Sequence, residues 1–187
     1  MTEIKGSVIR DAIDSLKKRN GDQVYETIIN RLDEESRQLF MGTILASSWY
    51  PLDSFMKFLE VDIQLTAHGN EQELVTRSEI LFDGQLRGIY RAFVRFGSPE
   101  FVLNRISVVH KSYFRGVSAQ IEMQGSDKAR IKYVGFEKQH RLAGPSMIGF
   151  FKKALEISGA KDVQVKWSTS IEENKGYCIL DISWRGK

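Results

Sequence analysis

The stretch Val117–Tyr133, VSAQIEMQGSDKARIKY, carries the pattern that decides the fold. Apolar and polar residues alternate on both sides of Gly125-Ser126-Asp127, and a period of two is typical of strands with one buried face. Glycine, serine and aspartate favour a tight turn. The stretch therefore predicts an antiparallel hairpin whose inner face carries Ala129, Ile131 and Tyr133.

A second hairpin follows further along the chain. Residues Val163–Trp167 and Cys178–Trp184 alternate in the same way. Between the two hairpins, Gly144-Pro145-Ser146 begins a segment whose apolar residues have helical spacing, and Ser158-Gly159-Ala160 ends it. We therefore predict that residues 117–187 form a ββ-α-ββ unit, a four-stranded antiparallel sheet with helices on one face.

Residues 1–116 show helical periodicity instead. They predict helices over 7–18, from 22, over 34–41, over 51–65, from 71, over 89–96 and from 98 to about 115. The segment 43–50 fits either an extended stretch or a continued helix. The fold class is then α+β, and we predict one domain over residues 1–187, with a helical part at 1–116 and the ββ-α-ββ part at 117–187.

Composition and charge narrow the choice of function. The formal net charge of the 187 residues is only +3, which is too small to predict nucleic-acid or membrane binding. No apolar run approaches the roughly 18 residues of a membrane helix, and the first residues have no apolar signal core. The one cysteine, Cys178, excludes a disulfide within the chain. We expect a cytoplasmic protein without membrane or nucleic-acid partners.

Motifs for catalysis are missing from the sequence. It has no Gly-x-Ser-x-Gly, P-loop or Gly-x-Gly-x-x-Gly motif, and Cys178 falls on the core side of a predicted strand. The three histidines, His68, His110 and His140, lack the close spacing that is typical of a metal site. We expect no catalytic residues, no metal site and no enzyme activity.

A basic stripe lies on the first hairpin. Lys128, Arg130 and Lys132 alternate with the apolar residues of the second strand. The stripe fits an anion-binding site, but the small net charge favours the other interpretation, the solvated face of an antiparallel sheet, which is normally polar.

Four short stretches carry a resemblance that covers nearly the whole chain. Ile4–Val8, Ser48–Leu52, Phe96–Pro99 and Ser158–Val163 resemble an uncharacterised bacterial family that is best known from myxobacteria. The order of elements is also similar to that of heme nitric-oxide/oxygen-binding domains and 4-vinyl-reductase-type ligand-binding domains. This second resemblance implies a fold that binds a small ligand.

The resemblance to the heme-binding domains points to His110, which lies where that family places its iron-ligating histidine. That family also holds the heme propionates with a Tyr-x-Ser-x-Arg motif on a strand. Here the nearest match is Tyr133-Val134-Gly135-Phe136-Glu137. A carboxylate at Glu137 would repel a propionate, and we therefore predict that no cofactor is bound.

These observations leave three hypotheses for the function. The first is a non-enzymatic sensor or regulatory domain that binds a small apolar or anionic ligand between helices and sheet, through His110, Tyr113, Tyr133 and Trp49. The second is a protein-interaction or scaffold module that acts as a homodimer or through a helix face, where Arg87, Arg91 and Arg95 lie at helical spacing. The third is a heme-based gas sensor that uses His110.

Overall fold

The structure is a computed structural model that describes residues 2–87 and 98–186, and the side chains of residues 84–87, 106 and 107 are not described. The predicted α+β class is confirmed. Within the described residues the helices are α1 (Gly6–Asn20), α2 (Asp22–Arg31), α3 (Glu34–Met41), α4 (Leu52–Ala67), α5 (Gln72–Arg87), α6 (Pro99–Asn104), α7 (Ile106–Tyr113) and α8 (Ala143–Ile157). The strands are β1 (Glu3–Lys5), β2 (Trp49–Pro51), β3 (Phe114–Arg115), β4 (Ser118–Met123), β5 (Lys128–Val134), β6 (Lys161–Thr169) and β7 (Tyr177–Arg185).

The four-stranded sheet forms as the alternating patterns predict. Its strand order is β4-β5-β7-β6, and all neighbouring strands are antiparallel. Ile121 pairs with Ile131 across the first hairpin, and Tyr133 pairs with Cys178 on the adjacent strand β7. Ala129, Ile131 and Tyr133 are buried, whereas their neighbours Lys128 and Lys132 are exposed. The period of two therefore separates the core face of the sheet from its outer face.

A second, smaller sheet has the order β2-β1-β3 and was not predicted from the sequence. Its strands have only three, three and two residues, which is too short for an alternating pattern to be recognised. Ile4 pairs with both Tyr50 and Phe114. The uncertain segment 43–50 thus ends in an extended strand rather than a continued helix.

The helix predicted from residue 98 to about 115 is two helices, α6 and α7. Ser98 caps α6 as predicted, because its hydroxyl accepts a hydrogen bond from the Phe101 N–H at 3.2 Å. At Arg105 the backbone tightens, and the Arg105 N–H donates to the Val102 carbonyl three residues back. No glycine or proline lies at this position. The helical periodicity of the sequence therefore predicted one continuous helix instead of two. The helix predicted over 89–96 lies outside the described residues.

Helices α5 and α8 pack against each other at unusually short range. A Cβ atom placed on Gly149 of α8 would lie 2.4 Å from the Val75 carbonyl oxygen and 2.8 Å from the Ser78 Cβ, both on α5. Beside this contact the Lys152 ammonium is 2.9 Å from the Glu79 carboxylate. Glycine is therefore required at position 149 for the two backbones to approach this closely.

One continuous cluster of buried apolar side chains joins the helical part to the four-stranded sheet, from Ile4 near the start of the chain to Trp184 in β7. The core therefore lies between the sheet and the helices that cover it. Among the described residues, no helix combines the length and the apolar character that crossing a membrane requires.

The contact at Gly149 gives a prediction about stability. Gly149→Ala should lower the free energy of unfolding by about 1–3 kcal/mol, because the added methyl group forces α5 and α8 apart. Urea unfolding followed by circular dichroism measures the change.

Gly42→Ala is the matched control for this substitution. Gly42 has an ordinary φ of −79°, and a Cβ there would lie 3.4 Å or more from its neighbours. Its effect should therefore stay within about 0.5 kcal/mol. Equal stabilities of the two variants would show that α5 and α8 are not in close contact.

Candidate ligand-binding cavity

A cavity of about 120 Å³ lies where α1, α4, α5, α7 and α8 meet the inner face of the sheet. Most of its lining is aliphatic or aromatic, and includes Phe55, Leu59, Leu74, Phe82, Met147 and Phe151. A mainly apolar cavity with a few polar groups is the usual form of a small-molecule site. His110 and Tyr133 are among the polar residues that line it.

His110 reaches the cavity from the last turns of α7. Val109, His110 and Tyr113 lie on one face of this short helix, and all three line the cavity. The His110 ring stacks on Phe114, with ring centroids 4.8 Å apart, and lies 5.2 Å from the ring of Tyr133. These aromatic neighbours hold the imidazole in place and keep it 95% buried, since only 5% of the residue is exposed.

The two ring nitrogens of His110 have no hydrogen-bond partner among the described residues. Burial lowers the pKa of His110 to about 4, so the imidazole is neutral at neutral pH and one nitrogen keeps an available lone pair. Buried polar groups are normally hydrogen-bonded. A buried imidazole without partners is therefore suited to bind a ligand or a metal centre.

His140 provides a contrast within the same chain. It is also buried, but its Nδ1 accepts a hydrogen bond from the Glu137 N–H at 3.0 Å, and its Nε2 lies 2.7 Å from the Asp53 carboxylate. Both of its nitrogens are used in holding the loop after β5 against α4. His140 is therefore a structural residue, and His110 is the histidine with unused binding capacity.

Tyr133 contributes a second unpartnered group. It points inward from β5, is fully buried, and its hydroxyl has no hydrogen-bond partner among the described residues. Burial raises the pKa of Tyr133 well above its ordinary value, so the hydroxyl remains protonated and can donate. On the neighbouring strand, burial also raises the pKa of Cys178 to about 12, which keeps this thiol unreactive.

A polar cluster that the sequence analysis missed lies in the wall of the same cavity. Arg19 of α1, Asp62 of α4 and Arg77 of α5 all line it. Asp62 lies on the same helical face as Phe55 and Leu59, spaced four and three residues apart. An acidic residue on an apolar helix face needs a charged partner. The position of Asp62 on this face could therefore have indicated a buried polar cluster from the sequence alone.

Trp49 lies away from the other predicted ligand-binding residues. It belongs to β2 and does not line the cavity, unlike His110, Tyr113 and Tyr133. The Lys5 ammonium and the Arg115 guanidinium lie 4.6 Å and 4.3 Å from its ring centroid. Trp49 therefore packs against two cationic side chains at the small sheet.

The basic stripe of β5 faces away from the cavity. Arg130 is 2.7 Å from the Asp181 carboxylate on β7, and the Lys132 ammonium lies 4.9 Å from the Tyr177 ring centroid. Lys128 is exposed at the start of the strand. Two of the three cations therefore have local partners on the outer face, and anion binding there stays a prediction.

No protein-family model matches the chain, and no curated protein is similar to it. Solved structures are similar over its whole length. An H-NOX protein mutant from K. algicida, in the Fe(II) unliganded state, has 17% identity and a TM-score of 0.76, covering 98% of each chain. An H-NOX protein from S. oneidensis in the Fe(II)NO state has 14% identity and a TM-score of 0.73, covering 98% of this chain and 100% of that one.

An oxygen-binding H-NOX domain related to soluble guanylate cyclases is also similar, with 11% identity and a TM-score of 0.68, over 98% of this chain and 96% of that one. At these identities the likeness shows the fold. The predicted fold-level resemblance to heme nitric-oxide/oxygen-binding domains is therefore confirmed. The resemblance to the myxobacterial family stays a prediction.

The prediction that no cofactor is bound is contradicted by these neighbours. They are H-NOX proteins in Fe(II), Fe(II)NO, Fe(II)CO and oxygen-bound states. The prediction rested on a carboxylate at Glu137 facing a propionate, but Glu137 is exposed and does not line the cavity. Its carboxylate accepts hydrogen bonds from the His140 N–H and from Gln139 within its own loop. The electrostatic objection to a heme therefore does not apply.

The unpartnered hydroxyl of Tyr133 gives a prediction. Tyr133→Phe should leave the free energy of unfolding of the ligand-free protein unchanged or raise it by about 1 kcal/mol, because a buried unsatisfied group costs about 1–3 kcal/mol. Chemical denaturation measures the difference.

Tyr25→Phe is the matched control, since the Tyr25 hydroxyl donates to the Phe40 carbonyl at 2.9 Å. This variant should lose about 1 kcal/mol. A similar loss in Tyr133→Phe would show that the Tyr133 hydroxyl has a partner within the protein, and that it is not reserved for a ligand.

Proposed function

We propose that this chain is a non-enzymatic sensor domain that binds heme in the cavity, with His110 as the axial ligand of the iron. The observation that carries the proposal is the buried, neutral imidazole of His110, whose two nitrogens have no hydrogen-bond partner among the described residues. Support comes from the fold, because the similar solved structures are H-NOX proteins with Fe(II) centres.

The donor set of the cavity fits a heme. A neutral imidazole is a common axial ligand of heme iron, and the aromatic rings of Phe114, Tyr133 and Phe136 fix the plane of His110. The apolar lining would cover the faces of a porphyrin and exclude water from them. When bound, a heme would supply an iron centre that takes a diatomic gas.

The size of the cavity sets a condition on heme binding. A dry apolar cavity of about 150 Å³ holds a molecule the size of benzene, and this cavity measures about 120 Å³. A porphyrin is much larger, so its entry requires the helices that line the cavity to move apart. This volume also favours a second candidate, a smaller apolar ligand in the same cavity, which a thermal-shift panel of such molecules tests.

Hemin titration of the purified protein tests the proposal. We expect a Soret band that saturates at one hemin per chain and shifts when carbon monoxide is added to the reduced protein. His110→Ala should weaken hemin binding by at least about tenfold, because the axial bond is lost. Free imidazole should then restore the wild-type spectrum, since it can occupy the vacated space.

His68→Asn is the control for loss of a histidine. His68 is exposed and ends α4 in the left-handed conformation, with φ of 51°, which asparagine tolerates. This variant should keep both the spectrum and the affinity. Identical spectra for the wild type and His110→Ala would exclude His110 as the iron ligand.

The protein-interaction hypothesis stays a prediction with its own test. Of its proposed arginine face, Arg91 and Arg95 lie outside the described residues, and the side chain of Arg87 is not described. Light scattering of the purified protein measures whether it is a homodimer, and affinity capture tests for a protein partner.

A further inference from the structure

Two arginines share one buried carboxylate in the wall of the cavity. The Arg77 Nη1 lies 3.1 Å from the Asp62 Oδ2, and the Arg19 Nη2 lies 3.6 Å from the same oxygen. The side chains of Asp62 and Arg77 are only 6% and 12% exposed, and that of Arg19 is 34% exposed. The buried pair of Asp62 and Arg77 is balanced in charge, and the partly exposed Arg19 adds a second positive charge beside it.

Among the described residues, Thr66 and Glu73 also lie beside the cluster, and neither adds a buried negative charge. The Thr66 hydroxyl accepts from the Arg77 Nη2 at 3.0 Å and donates to Asp62 at 2.8 Å, but it is uncharged. Glu73 is half-exposed, and its carboxylate lies 3.9 Å from the Arg77 Nε, beyond hydrogen-bond distance. Solvent screens such an exposed charge. Consistently, burial and the neighbouring charge of Arg77 lower the pKa of Arg19.

The Nε of Arg77 is the donor that the cluster leaves unused. It is buried and has no hydrogen-bond partner among the described residues, although both Nη atoms of the same guanidinium are engaged. The Nε edge of an arginine matches the two oxygens of a carboxylate. A buried donor of this kind, in a mainly apolar cavity, is suited to an anionic oxygen of a ligand.

We propose that Arg77, assisted by Arg19, binds the carboxylate of an amphipathic ligand whose apolar body fills the cavity. The cavity then selects apolar molecules with an acidic end, such as a porphyrin carboxylic acid or a fatty acid. This selectivity rests on the proposed role of the cavity as a ligand site. The carboxylate of the ligand would then lie at α1 and α5 rather than at the basic stripe of β5.

Paired probes that differ only in the carboxylate test this proposal. Metal-free protoporphyrin IX is compared with its dimethyl ester, and dodecanoic acid with methyl dodecanoate, by fluorescence and thermal shift. The wild type should bind at least one acid about tenfold more tightly than its ester, as a charged hydrogen-bonded pair requires. The pair that shows the preference identifies which source of carboxylate the cavity accepts.

Two variants locate the effect. Arg77→Lys removes the Nε edge but keeps a positive charge beside Asp62, so the fold is preserved. Arg19→Gln removes the second positive charge. Each should reduce the acid-over-ester ratio at least about threefold and leave ester binding unchanged. Arg130→Gln breaks a comparable pair on the outer face, and should leave the ratio at the wild-type value.

The outcomes separate this proposal from the heme proposal. Equal binding of acids and esters by the wild type, including no binding of either, overturns the carboxylate site, as does a ratio unchanged in both Arg77→Lys and Arg19→Gln. Because the probes contain no iron, they do not depend on ligation by His110. A hemin spectrum that depends on His110, together with an acid-over-ester ratio unchanged in the arginine variants, would support heme binding and reject the arginine site. A hemin spectrum that does not depend on His110, together with a ratio reduced in the arginine variants, would support the arginine site and reject His110 as the iron ligand.

Discussion

At Gly149 the backbone of α8 approaches that of α5 so closely that no side chain fits between them. Both of these helices line the cavity, because α5 presents Arg77 and Leu74 while α8 presents Met147 and Phe151. The contact at Gly149 adjoins the cavity, because Ser78 takes part in both, and α7 brings His110 into the same space. The cavity is therefore a consequence of how the helices meet, and it does not depend on a loop that happens to be open.

The polar groups in this mainly apolar cavity affect the stability of the protein. Burying an imidazole, a phenol hydroxyl and a guanidinium donor without partners reduces stability, since each loses its hydrogen bonds to water. A sequence selected for stability alone would replace them with apolar residues. Their presence around one space, from α5, α7 and β5, fits a site in which a ligand supplies the missing contacts.

Much of the fold could be predicted from the sequence, because strong local patterns specify it. The alternation around Gly125–Asp127 predicted the first hairpin and its buried face, and the Ser98 cap placed the start of α6. The small sheet could not be predicted, since β1, β2 and β3 are held together by contacts between distant parts of the chain. The break at Arg105 likewise has no local sequence signal.

The candidate site was predicted in part. His110, Tyr113 and Tyr133 lie together, because helix and strand periodicity indicate which side chains point inward. Trp49 lies in the small sheet and does not line the cavity, and aromatic character does not reveal which of two sheets a residue packs on. The prediction from Glu137 that no cofactor is bound was wrong. A motif comparison cannot show that the loop after β5 turns this carboxylate outward, where it caps its own helical turn.

The position of β7 has a consequence for the order in which the molecule assembles. This strand follows β6 in the sequence, yet it lies between β5 and β6 in the interior of the sheet. The β5 strand that carries Tyr133 therefore lacks one neighbour until residues 177–185 have been synthesised and have inserted beside it. During translation the sheet that carries Tyr133 can therefore join β5 to β6 only after β7 has been made, and loss of β7 would separate β6 from the rest of the sheet.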